Sequence, residues 1–576
     1  MATRPLNDFG VLNFSGGIHR SDKSEFENET NELRDALNIE IDNRGRLRKR
    51  RGSVQFGNTL AGTIGSSHSF ALTISGNSQP TRHFIFARED AGNTDINRFF
   101  GTRLTANVAV GDATINVGDT TNFDASGTIE IEGDLITYSA KGAGTFTVSG
   151  GTITSAHSSG AAVHQIDSID STNFAGQQGV YYAILNNLLV INARTSIYTW
   201  DGTTMSSATT PPNGLFLTNY KDRVYVAGSG ISGTNSSPIR VSYSDRGDPA
   251  NWNADGFFDV EDQYGEIITG LKDYKENLLI FKANSTFGYN LSSLTQLDYK
   301  VGAYNHRVVE EINGFLYTFC ALGIWEGTGG QWRLISEPVK EYIDNFVPKY
   351  DTSQARVINN TFAGSFDGKY FLYIGNITQP ETRNDVVLVF DTKTRSWSTY
   401  DGFTNLSHFG SFKSVPYGTG TVQGTGNYTT QKDFLVWGNT SGQLFRMFST
   451  RHLNSNATIV GGDVFQDRIS NTGSAVSAKF ETPMYDMNSP HIIKSFGFLQ
   501  ALAEKGRWQI DWRVEDRKGI SDYKSLGFAE KINNYLPLPR EAKGYRIGFR
   551  VTENSSVNAP VFNGFIISDI KTDTIK

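Results

Sequence analysis

Val180-Tyr181-Tyr182-Ala183-Ile184-Leu185, Asn186-Asn187, Leu188-Leu189-Val190-Ile191 is two short apolar runs joined by two asparagines. Ile197-Tyr198-Thr199-Trp200 then ends at Asp201-Gly202. Runs of four to six β-branched and aromatic residues, separated by two residues that tolerate positive φ, are the signature of antiparallel hairpins. The same unit recurs at residues 223–227, 240–244, 267–271, 277–282, 286–290, 315–319, 323–326, 369–374, 386–391, 396–400, 433–437 and 443–447. An aromatic beside a glycine turn returns at Trp325-Glu326-Gly327 and Trp437-Gly438. No helical stretch of βαβ length interrupts the series, which argues against a parallel α/β sheet.

This density of short strands predicts an all-β chain whose centre is a β-propeller. The repeat is degenerate, and about six blades are expected, within the usual four to eight. Composition agrees: aromatics make up 12% of the chain, Gly numbers 59 and charged residues only 19%. Aromatics suit pleated, half-buried surfaces, and glycine supplies the corners between strands.

Working outward, five segments separate by texture. Residues 1–52 form a charged docking segment, with a short helix expected at 31–36 and a hairpin formed by 37–42 and 46–50 around Asn43-Arg44-Gly45. Residues 53–102 begin the propeller, and 103–164 read as an inserted small β-module of period-two strands cut by glycines. Residues 165–450 continue the propeller, and 451–576 carry longer strands, read as a last blade and a C-terminal sandwich-like region. One more short helix is expected near residues 338–346, where Val339, Ile343 and Phe346 share a face.

The net charge of −6 and pI of about 5.9 argue against a surface that grips nucleic acid over its whole extent. With Cys320 as the single cysteine, neither an intrachain disulfide nor a thiolate metal cluster is expected. The first ten residues lack an apolar signal region and the apolar runs are too short to span a bilayer as helices, so a soluble protein made in the cytoplasm is expected.

The sharpest local signal is basic: Arg44, Arg46, Arg48, Lys49, Arg50 and Arg51 put six positive charges in eight residues. They are the candidates for a subunit interface or a DNA channel. The plainer alternative is neutralisation inside the chain by Glu25, Glu27, Glu29, Glu32 and Asp35 just upstream. Alternate residues of a hairpin strand face opposite ways, so the six charges cannot all reach one ligand.

No catalytic residue, metal ligand set or cofactor is assigned. Asp245, Asp248, Asp259, Glu261 and Asp262 are acids of turn type near strand ends, where a glycosidase pair would have to meet in space. His68, His83, His157, His164, His306, His408, His452 and His491 are scattered without metal-ligand spacing.

Ser15-Gly16-Gly17-Ile18, then Asn31-Glu32-Leu33-Arg34-Asp35-Ala36-Leu37-Asn38, then Arg44-Gly45-Arg46-Leu47-Arg48-Lys49-Arg50-Arg51-Gly52 resembles the opening of the tail nozzle proteins of short-tailed bacteriophages, the tubular tail protein B or packaged-DNA stabilisation group. Arg51 stands where that pattern usually has proline. Tyr243-Ser244-Asp245 with Gly247-Asp248-Pro249 and Trp252, Gly323-Ile324-Trp325-Glu326, and Val389-Phe390-Asp391 with Trp397 are similar to the family's blade segments, in the same order. The resemblance implies a subunit of a hexameric ring in the virion tail, assembled in the host cytoplasm. It implies a tail adaptor above, fibres or tip proteins as neighbours, and double-stranded DNA passing through the channel, with no membrane span. An acidic tube would let DNA slide without sticking. Two other functions stay open: a host-receptor or glycan-binding tail module, and a tail-associated propeller glycosidase.

Overall fold

The computed structural model describes residues 4–5, 8–21, 27–55, 57, 59–72, 81–90, 93–121, 123–131, 134–150, 152–170, 174, 179–192, 196–228, 237–348, 350–351, 356–357, 361–378, 381–412, 434–447, 466–469, 472–532, 534–555 and 560–572. The quoted hairpin is there: Tyr181–Leu185 pairs with Leu188–Asn192, and Asn186 and Asn187 turn the chain at φ of 49° and 62°. Positive φ at both turn positions matches the twist of the flanking strands. Asn313-Gly314 (53°, 80°) and Asp367-Gly368 (47°, 72°) make the same turn in later blades.

Among the described residues, seven such sheets follow one another. Thr63–Leu72, Thr81–Asp90, Asn93–Arg103 and Ala162–Asp170 form blade 1, and Tyr181–Leu185 to Met205–Ser207 form blade 2. Phe216–Tyr220 to Asp248–Asp259, Ile268–Tyr274 to Leu294–Asp298, and Glu310–Ile312 to Trp332–Leu334 are blades 3 to 5. Phe362–Phe366 to Ser396–Tyr400 is blade 6. Leu406–Phe412, Phe434–Asn439 and Leu444–Met447 are the inner three strands of blade 7. The first strand of blade 7 packs against the first strand of blade 1, so the sheets close into a ring: the chain is a β-propeller.

The expected count of six is corrected to seven. Two blades are split in sequence, and a scan for contiguous four-strand units misses them. Blade 1 is interrupted by the inserted module, and blade 7 takes its outer strand, Ser53–Gln55, from before blade 1, pairing Met447 with Ser53. Gln466–Ile469 and Thr472–Ala475 extend that sheet instead of making a further blade.

The insertion rides on the outer rim. Gly127–Ile131 pairs with Ala162–Asp170, continuing the sheet of blade 1, and its own core gathers Ile115, Ile129, Ile136, Tyr138 and Phe146. At the axis, the turn His306–Val308 reaches inward between the first strands of blades 4 and 6. The His306 ring stacks on Phe216 (centroids 5.5 Å apart) and meets Tyr181 edge-on. Its Nδ1 accepts from the Leu271 amide. Burial, with Lys272 and Arg307 nearby, lowers the His306 pKa to about 3, so this axial ring is neutral at physiological pH.

Beyond the ring lies a two-sheet sandwich that both chain ends build. One sheet orders Asn534–Pro537, Phe498–Glu504, Val561–Ser568, Leu47–Lys49 and Ile39–Ile41, with Phe9–Val11 beside Val561–Ser568. The other runs through Asp35–Leu37, Ala478–Glu481, Arg546–Glu553 and Trp508–Asp516. Phe14 fills the space between them against Phe480, Phe562 and Phe565. The hairpin expected around Gly45 is present as Ile39–Ile41 against Leu47–Lys49. The helix expected at residues 31–36 is not: Glu32–Leu33 pairs with Gly17–Ile18, and Asp35–Leu37 is a strand because Ala36 and Leu37 are drawn into a sheet whose other strands lie hundreds of residues away. The second expected helix forms as Glu337–Val339 and Lys340–Asp344.

Candidate functional site

The basic segment lies where propeller and sandwich join, and its alternation decides what each charge does. In Leu47–Lys49, Leu47 and Lys49 face inward and Arg48 outward. Arg44 is exposed on the turn. Arg46 and Arg48 both pair with Asp42, at 2.8 and 3.1 Å. Burial alone would raise the Asp42 pKa, but hydrogen bonds from Arg46 and Arg44 hold it below the ordinary carboxylate range.

Lys49 and Arg50 are sealed inside. Lys49 Nζ lies 2.8 Å from Glu553 Oε2 with both side chains fully buried, and it also donates to the Ser555 carbonyl. Arg50 forks onto Asp467, with Nη1 and Nη2 at 3.2 and 2.8 Å from the two oxygens. It also donates to Asn38 Oδ1 and the Asp401 carbonyl, and lies over the rings of Tyr400 and Phe403. A planar guanidinium with this many acceptors is a structural clamp. Both side chains are buried in the chain on these intramolecular partners. Arg51 is half-buried, close enough to Glu40 to help depress its pKa against burial and behind Lys369.

The acids that Lys49 and Arg50 meet, Glu553 and Asp467, come from far along the chain rather than from just upstream. Glu32 pairs with His19, and Asp35 pairs with Arg383 at 2.5 Å and Lys479 at 3.1 Å. Glu25 lies outside the described residues. Asp35 also accepts from Tyr342, so the N-terminal segment, blade 6, the short helix and the sandwich meet on one carboxylate. Burial would raise its pKa, yet Arg383, Lys479 and Arg20 overcome that and hold it down at about 2. Ligand oxygens of Asp35, Glu381 and Glu481 lie within 4.8 Å of one another, a spacing a metal ion would use. Here Arg383, Lys479 and Arg550 already supply the positive charge.

Asn38, which ends the second resemblance motif, is the hub of the join. It holds φ of 55° and donates through Nδ2 to Asp401 Oδ1 and the Ser477 carbonyl, both at 2.7 Å. Its Oδ1 accepts from Arg50 and from the Asp401 amide. Asparagine tolerates the left-handed region better than most side chains, which fits it to this corner. Gly17, with φ of 66°, presses against blade 6: a Cβ there would lie 2.8 Å from that of Ser396 and 2.9 Å from the Trp397 backbone.

Four of the five acids weighed as a glycosidase pair are held locally. Asp245 accepts from Asn253, Asp248 caps the Ala250 amide, Asp259 forks with Arg240, and Asp262 pairs with Lys282 at 3.1 Å. Two of the histidines pair with acids in or beside the insertion, His157 with Asp134 and His164 with Glu130. His452 lies outside the described residues. Nothing local in the sequence marks Asp467, Glu553, Arg383 or Lys479, whose partners in the N-terminal segment lie 348 or more positions away.

The class defined by these features is a seven-bladed β-propeller joined to a sandwich through its own N-terminal segment. No protein-family model and no curated protein matches the chain. Among solved structures it is similar to the WD40 domain of Neurospora crassa Pan2, at 8% identity and TM-score 0.28, covering 62% of this chain and 90% of that one. It is also similar to the extracellular domain of a hybrid two-component system from B. thetaiotaomicron, at 11% identity and TM-score 0.29, covering 91% and 68%. An exo-β-1,3-galactanase from Phanerochaete chrysosporium follows, at 8% identity and TM-score 0.23, covering 90% and 100%. Likeness this low carries no argument about function, and the propeller rests on the sheet order described above.

Proposed function

We propose that the chain is a structural subunit of a bacteriophage tail, a nozzle-like ring component that extends the portal and adaptor channel, retains double-stranded DNA and conducts it at ejection. The observation that carries this reading is where the resemblance motifs fall. Gly17, Asn38 and Arg50, one from each N-terminal motif, are the residues that lock the N-terminal segment between blade 6 and the sandwich. Residues in such roles track an architecture, so their likeness to the nozzle family supports a shared build rather than a shared ligand. A conduit subunit needs shape, stiffness and contacts with its copies, and it works without a reactive centre. Of the basic run, Arg44 and Arg48 remain at the surface as contacts for a neighbouring copy or for DNA.

The test is the mass and shape of the purified protein, alone and mixed with the tail adaptor. A hexameric ring, or a monomer that becomes a ring on the adaptor, supports the reading. A lasting monomer that cleaves polysaccharide sinks it and favours the glycosidase.

A further inference from the structure

Blades 3 and 4 leave a cleft between them, on the propeller face that carries the turns at Lys221-Asp222 and Arg246-Gly247, and strand register fills it with tyrosines. Tyr220 stands opposite Arg223 across the first hairpin of blade 3. Arg223 and Tyr225 are two apart on one strand, and Tyr225 stands opposite Tyr243 on the next. Side chains two apart or directly paired share a face, so all four look into the cleft. Tyr289, from the third strand of blade 4, closes it from the other side. The Tyr225 ring centre lies 5.9 Å from those of Tyr220 and Tyr243 and 6.3 Å from that of Tyr289. The open space is about 270 Å³, slightly under the ~300–1,000 Å³ of drug-sized sites, and suits a single ring.

What converges there is a set of donors. The Arg223 guanidinium lies over the Tyr243 ring, with Cζ 4.7 Å from its centre, and Nη1 donates to the Ser244 carbonyl. These two contacts hold its plane in place. Nε and Nη2 have no acceptor among the described residues and are open to water, as are the hydroxyls of Tyr225 and Tyr243. Burial raises the pKa values of Tyr225 and Tyr289 against the pull of Arg223, so both phenols stay protonated and the guanidinium lies within electrostatic reach of both.

The other cations of the rim are taken: Lys221 pairs with Glu276 and Arg246 with Asp222, each at 2.7 Å. Arg223 is the lining cation that has no carboxylate partner among the described residues. One uncompensated positive charge, with free N–H groups beside phenol donors, matches the oxygens of a singly charged oxyanion. Aromatic rings and the exposed Leu291 at the mouth suit the C–H face of a sugar.

From this juxtaposition we infer that the cleft between blades 3 and 4 binds a sugar bearing one oxyanion group, a carboxylate or a sulfate ester, held by Arg223, Tyr225 and Tyr243. The inference needs neither the basic segment nor a ring of subunits, so it stands apart from the tail reading.

Isothermal titration of the full chain with sodium glucuronate, glucose 6-sulfate, glucose and inorganic phosphate tests it. At least one of the two anionic sugars binds at a single site, and which of them binds names the oxyanion. Glucose gives no heat at the same concentrations. Arg223→Gln weakens the bound sugar by at least about tenfold. Tyr225→Phe and Tyr243→Phe, which remove only a hydroxyl, each weaken it by a smaller factor, and an unchanged melting midpoint for Tyr243→Phe shows that its loss is not unfolding. No binding by either anionic sugar overturns the inference. So does binding that survives Arg223→Gln, or that both phenylalanine variants leave at full strength. Phosphate binding as tightly as the sugar also overturns it, since the cleft would then be an adventitious anion site only.

Discussion

Blades 2 to 5 and the N-terminal join are built from the same kind of strand and held in opposite ways. In the blades each strand pairs with the next in sequence, and turns such as Asn186-Asn187 set the register. In the join, Leu37 pairs with Thr399 on one side and Lys479 on the other, and Arg50 reaches Asp467 across 417 residues. Local pairing costs little loop closure and leaves each blade tolerant of small damage. The join brings distant strands together and seals charged groups inside, so each of its ion pairs has to be complete. Damage should therefore be far more costly in the join than in the ring.

The strongest way to break that contrast is Arg50→Met. It leaves Asp467 and Asn38 without their buried donor, and the expected loss is about 3–5 kcal/mol, read as a shift of the denaturant midpoint. Asp35→Asn follows. Asp35 is held at about 2 in the fold, against an unfolded value near 3.9. Its contribution is complete above the unfolded value and is lost as pH falls through about 4 to 2, amounting to ~2.6 kcal/mol. The variant should lose that amount at pH 7 and show a flatter acid limb in melts taken between pH 5 and 2.

In the ring, Asn187→Val places a β-branched residue at φ of 62° and should cost about 1–2 kcal/mol, whereas Asn187→Gly should stay within about 0.5 kcal/mol. Replacing residues 104–161 by Asn-Gly should cost less than ~1 kcal/mol, because Arg103 and Ala162 are already paired and the insertion has its own core. Arg44→Ser, on an exposed turn, should leave monomer stability within about 0.5 kcal/mol. If it nevertheless abolishes ring formation, the surface part of the basic run is an assembly contact.

The same contrast explains what could be read from residues alone. Hairpins, the corner at Gly45, the rim insertion and the short helix near Val339 carry local signals, in alternation, turn chemistry or a shared apolar face. Blade 7 does not, since Ser53–Gln55 completes a sheet whose other strands begin at Leu406. Asp35-Ala36-Leu37 has the local composition of a helix and becomes a strand only because sheets lie ready on both sides. The six basic residues were visible as a group, but their division into a surface pair on Asp42, a buried Lys49 and a clamped Arg50 depends on Glu553 and Asp467. His306 is one of the scattered histidines in the sequence, and only the ring brings its turn against Phe216 and Tyr181.

The central claim is that the N-terminal segment is an integral part of both bodies. Hydrogen exchange of the full chain, followed by peptide mass spectrometry at rising denaturant, tests it most directly. The account predicts that amides of Ile39–Ile41, Leu47–Lys49, Ala478–Glu481 and Arg546–Glu553 lose protection together, at one denaturant concentration, with Ser396–Tyr400. Exchange of the two N-terminal strands at low denaturant, while the C-terminal strands and blade 6 remain protected, would contradict it.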